Sequence, residues 1–161
     1  MSCDVAVAAY LLFASANPSA PPPQLIPATA AAAPSSVASE PLFADIVSRA
    51  AKLKARANAY RKTSGLDAAP TAKMLPGFTK FESDIAELSA LDMKGHLELA
   101  ARGTDGDLKC ILRGISQDLP VKLKDVQGAA TGKAQDEALR DMAYLLNDNV
   151  EVITAPPIPP V

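Results

Sequence analysis

Asp92 and His96 are the two side chains whose types and spacing best suit chemistry in this chain. Four residues apart on a helix, they are neighbours on one face. A carboxylate that accepts from imidazole Nδ1 fixes the ring so that Nε2 can face a ligand. The surrounding stretch, LDMKGHLELAARGTDGDLKC at residues 91–110, also holds Met93, Asp105, Asp107 and Cys110, and His96 is the single histidine of the chain. Metal binding, haem ligation and acid–base or nucleophilic catalysis are the chemistries to weigh.

Taking Phe81 as zero and roughly 100° per residue, Asp92 falls at roughly 20° and His96 at roughly 60° from the centre of the local apolar stripe. Both point toward a core. His96 and Cys110 lie eight and six residues from Thr104, so a helical hairpin turning there sets them at nearly the same height. Cys110 nevertheless falls at roughly 200° from Leu108, away from its own helix's apolar stripe. A thiol and an imidazole so placed do not meet inside a bundle, and one histidine provides no zinc-type ligand spacing. No metal site is expected. Asp105 and Asp107 lack the further acids of a calcium loop and suit the N-terminal end of a helix dipole.

Haem would need an axial partner for His96. Met93 is on the same helix and cannot lie opposite it, which leaves Met142, and no Cys-x-x-Cys-His motif is present. Nor is there a nucleophile in a recognisable triad, and GTDGD lacks the preceding strand and the Lys of a phosphate loop. The chain therefore reads as no enzyme, with no cofactor expected and Asp92 and His96 as a mutually satisfied, coupled polar pair. The alternative is a small-ligand, metal or haem carrier of the four-helix type, with Asp92, His96 and Met142 at its pocket.

The elements that position these residues follow from apolar periodicity. Residues 42–62 carry Phe43, Ala50 and Ala57 interleaved with Ile46, Leu53 and Tyr60, two seven-residue rows on one face. Residues 80–102 place Phe81, Ile85, Leu88 and Leu99 on a stripe, and Thr79 with Glu82 has the form of a capping box. Thr104 and Asp107 form a second such box before Leu108, Ile111, Leu112, Ile115, Leu119, Leu123 and Val126. That stripe keeps its phase across Pro120, which predicts one kinked helix. Residues 133–149 show Leu139, Met142 and Leu146, with Ile153 in phase, while VEVIT alternates like a short strand that has no partner. Short GTDG and GAATG links force antiparallel neighbours. The expected fold is all-α: an antiparallel four-helix up-and-down bundle over residues 42–155.

Eleven of the 14 prolines lie in residues 18–41 or 156–160. Residues 17–41, rich in Pro, Ala and Ser, cannot bury enough apolar surface to offset ordering entropy, which predicts a disordered spacer; residues 156–161 form a Pro-rich tail. The apolar run VAVAAYLLF at 5–13, followed by Ala14-Ser15-Ala16, has the form of a signal peptide over residues 1–16. Export to a periplasm or the exterior follows, with loss of Cys3 and no transmembrane segment in the mature form. Without that signal the protein would be cytoplasmic.

Two surfaces remain. Cys110, Gly114, Val121 and Gly128 share a narrow second face of the third helix, a candidate contact strip for a protein partner or for self-association. The first helix offers a basic face of Arg49, Lys52, Lys54, Arg56, Arg61 and Lys62, since residues 41–63 hold six Lys/Arg against one acid. With a net charge of -2 overall and few aromatics, no nucleic-acid partner is expected, although a cytoplasmic nucleic-acid binder using that helix is the alternative. The favoured function is an exported, non-enzymatic binding or structural module acting through protein contacts.

Overall fold

In the computed structural model, residues 37–103 and 106–155 are described, the side chains of 63 and 64 apart. A 3-10 turn, Val37–Ser39, precedes α1 (Pro41–Ser64), α2 (Phe78–Arg102), α3 (Gly106–Gly128) and α4 (Gly132–Thr154). Cross-links between helices show their directions. Arg49 of α1 reaches Glu87 of α2, while Arg56, two turns further on, reaches the carbonyl of Gly77. Ser89 and His96 of α2 bond to the backbone of Ser116 and Lys109 of α3. Lys54 and Arg61 of α1 reach Asn147 and Asp136 of α4. In every case one number rises as the other falls, so these pairs run antiparallel. Contacts join α1 to α4 and α2, and α3 to α2 and α4. The result is the expected four-helix up-and-down bundle, with α2 diagonal to α4 and no strand among the described residues.

The stripes read from periodicity are the core. Phe43, Ile46, Ile85, Leu88, Leu112, Leu119, Leu139 and Leu146 are fully buried. Leu66 and Leu75 of the long α1–α2 connection are buried with them. That connection is tied down by Gln135 of α4, whose amide donates to the Lys73 carbonyl at 3.0 Å and accepts from the Lys73 N–H at 2.9 Å. Gly132 comes so close to it that a Cβ there would lie 2.2 Å from the carbonyl oxygen of Leu66. Gly65 and Gly103 end α1 and α2 in the left-handed conformation, at φ 51° and 69°, which glycine adopts without a Cβ clash.

Pro120 sits inside an unbroken α3. Lacking an N–H, it leaves the carbonyl of Ser116 without its helical donor. The hydroxyl of Ser89 on α2 donates to that carbonyl at 2.7 Å. A defect in one helix is thereby repaired by its neighbour.

Some boundaries differ from expectation. The chain is already ordered at Val37, which is buried, and Glu40 accepts from both terminal nitrogens of the Arg102 guanidinium at 2.9 and 2.7 Å. Pro41 then occupies the first helical turn, where its missing N–H costs nothing. The segment VEVIT is helical, because Val150 and Ile153 continue the helical phase onto the core. The Thr79–Glu82 box does not form: α2 begins at Phe78 after Gly77 without a side-chain cap, and Glu82 instead accepts from Gln127 of α3. Thr104, residues 1–36 and the tail 156–161 lie outside the described residues, and with them the signal-peptide reading and most of the spacer.

Candidate functional site

Asp92 is fully buried, as its helical angle requires, and so is Asn149 of α4. The two meet across the diagonal of the bundle: Asn149 Nδ2 donates to Asp92 Oδ2 at 2.8 Å. One turn along α2, Gly95 admits its neighbours closely, since a Cβ there would lie 3.1 Å from Leu112, 3.3 Å from Phe43 and 3.4 Å from Ile46. This close packing keeps water from the carboxyl group. Burial pushes the Asp92 carboxyl up from 3.8 to about 8, against the opposing effect of the Asn149 hydrogen bond.

His96 is not the partner of Asp92. Its Nδ1 donates to the backbone carbonyl of Lys109 on α3 at 2.7 Å, so the imidazole bridges α2 and α3. The expected Asp92–His96 coupling fails because each group bonds to a different helix, Asp92 to the diagonal α4 and His96 to the adjacent α3. The height estimate holds, for Lys109 adjoins Cys110. Met142 is fully buried in the core on the same stripe of α4 as Asn149, one heptad earlier. Asp92 and His96 thus bond to different helices, and Met142 lies in the apolar core. Among the described residues no group of three His, Cys, Asp or Glu side chains could hold a metal ion.

Asn149 is the member that sequence reasoning missed. It follows Leu139, Met142 and Leu146 in helical phase and precedes Ile153 in the same phase. A polar residue on an otherwise apolar stripe is a signal that another buried polar group faces it. Gln135, buried on the same helix, carries the same signal.

The contact strip faces outward. Gly114 and Gly128 have open space where a Cβ would stand, and Val121 is 53% exposed. Cys110 is half-buried and disulfide-bonded. The basic face is largely engaged within the fold. Arg49 pairs with Asp45 and Glu87 at 3.0 and 2.9 Å. Arg56 donates to the Tyr60 hydroxyl and the Gly77 carbonyl. Lys54 donates to Asn147. Arg61 grips both oxygens of Asp136 at 2.9 and 3.1 Å. Lys52 and Lys62 are the exposed remainder. Two of these cations, Arg49 and Arg61, meet acids of the helices packed on α1. No family model, curated protein or solved structure matches this chain.

Proposed function

We propose that this protein is an exported, non-enzymatic binding or structural module that acts through protein contacts, with the outer face of α3 as its contact strip. The observation that carries the reading is the exposure of that strip: open space over Gly114 and Gly128, with apolar Val121 standing out between them. Small residues in line let another backbone approach closely, and an exposed apolar side chain among them gains by being covered. Export rests on the apolar run at 5–13 and the Ala14-Ser15-Ala16 sequence that follows it. The carrier reading has less support, because the polar groups of Asp92 and His96 bond within the fold and Met142 is closed in the core. Nucleic-acid binding has less support because four of the six cations of α1 already have partners.

A photo-crosslinking amino acid placed at Val121, with Tyr144 of α4 as an exposed control position, tests the contact strip in the native host. A protein adduct at 121 and none at 144 is expected. Equal crosslinking at both positions, or none at 121, would overturn the assignment.

A further inference from the structure

Two buried oxygens in the centre of the bundle have nothing to accept from. They are Asp92 Oδ1 and Asn149 Oδ1, and they belong to the two groups already joined by the Asn149 Nδ2 to Asp92 Oδ2 bond. A buried acceptor left without a donor is costly, and two in one pair call for a physical reason. A carboxyl and a carboxamide are both planar, and each offers two polar atoms on one edge. If the carboxyl carries a proton on Oδ1, that O–H can donate to the amide oxygen while the amide N–H donates back to Oδ2. One proton then satisfies both orphaned oxygens.

We propose that Asp92 is protonated in the folded protein and closes a two-bond ring with Asn149, a proton-dependent brace between the diagonal helices α2 and α4. Among the described residues no charged group is bonded to either member of the pair. The side chains packed on Gly95, one turn from Asp92, are Phe43 and Ile46 of α1 and Leu112 of α3. On α4 the neighbouring stripe positions are Leu146 and Ile153. Lys94 and Asp148, nearby along the chain, are exposed. His96, one turn away, is bonded to the Lys109 carbonyl. Without a cation to pair with, a buried carboxyl favours its neutral form, and the upward displacement of Asp92 to about 8 agrees with this.

The brace makes folding depend on pH in a defined direction. Because the folded carboxyl titrates above its ordinary value, the folded state holds a proton that the unfolded chain releases between 3.8 and about 8. Its contribution is fully present below 3.8 and is lost as pH rises through about 8. Within that window the folding equilibrium constant falls by about tenfold per pH unit. Above it the carboxylate and the amide oxygen confront each other, and one hydrogen bond remains.

The test uses the full chain and the near-isosteric Asp92→Asn variant, whose amide can form the same ring at every pH. Urea unfolding of both is followed from about pH 4 to about pH 9, and the carboxyl carbon of Asp92 in the wild type is titrated by NMR. The expected result is a wild-type curve that falls relative to the variant by about tenfold per unit, with the Asp92 carbon titrating far above the exposed aspartates. Parallel unfolding curves, or an Asp92 carbon titrating in the ordinary carboxylate range, would overturn the proposal. Should Asp92→Asn not fold, the wild-type carbon titration alone decides.

Discussion

A polar group inside a helical bundle has to find its partner on whichever helix faces it, and at Asp92 that helix is α4. Its bond to Asn149 and the bond of His96 to Lys109 are separate, which a pair of double-mutant cycles can resolve. With alanine replacements, Asp92 and Asn149 should show a coupling energy of about 1 kcal/mol or more, whereas Asp92 and His96 should be additive within about 0.5 kcal/mol. Coupling between Asp92 and His96 would restore the pair expected from their spacing. Gly132 gives a second residue-level prediction. A methyl group there meets the Leu66 carbonyl at 2.2 Å and the Ala69 Cβ at 2.6 Å, so Gly132→Ala should destabilise by about 3 kcal/mol. Chemical denaturation measures it, and an unchanged midpoint would show that the connection can move aside.

Helices α2 and α3 depend on each other through the repair at Pro120. Ser89→Ala removes the donor to the Ser116 carbonyl and should cost about 1–2 kcal/mol, since that acceptor lies in a buried turn. In a Pro120→Ala background the same replacement should cost much less, because residue 120 then supplies the helical N–H. Equal costs in both backgrounds would mean that the hydroxyl does not substitute for the missing donor. The Arg61–Asp136 pair plays a comparable part between α1 and α4. It is bidentate and partly sheltered, so Arg61→Ala should lower stability by about 1 kcal/mol, an effect that weakens in high salt.

For the molecule as a whole, two carboxyl groups pull the pH profile in opposite directions. Arg102, by its hydrogen bonds, holds Glu40 below the usual carboxylate range. The contribution of that pair is present above 4.5 and is lost as pH falls through the lowered value. Asp92 loses its contribution in the other direction, toward about 8. Thermal melts should therefore show a maximum on the acid side of neutrality, around pH 5; a maximum at alkaline pH would contradict the Asp92 assignment, and undiminished stability below about pH 4 the Glu40 one. Processing also belongs to this scale. Removal of residues 1–16 would take away Cys3, and the intact mass of the mature protein should match a chain starting at Asn17. A chain that keeps Met1 or Ser2 in its native host would overturn export.

The amino-acid sequence by itself determined the elements and their inward faces. Rows such as Phe43–Ala50–Ala57 and Leu139–Met142–Leu146 repeat with the helical period, and that period is a local property readable without any partner. That Pro120 lies within one continuous helix was legible for the same reason, and the burial of Asp92 followed from its angle on the stripe. The partners of the buried polar groups were decided only by tertiary structure. Asp92 meets a residue 57 positions away, and Gln135 clips a backbone 62 positions away. Which helix lies diagonal to which, and at what height, arises from the packing of all four together. The basic face shows the same limit: six cations on α1 form a surface when that helix is considered alone, but its acidic neighbours engage Arg49 and Arg61 once the helices are assembled. Hydrogen bonds between helices depend on relative placement to within an ångström, and no local pattern carries that information.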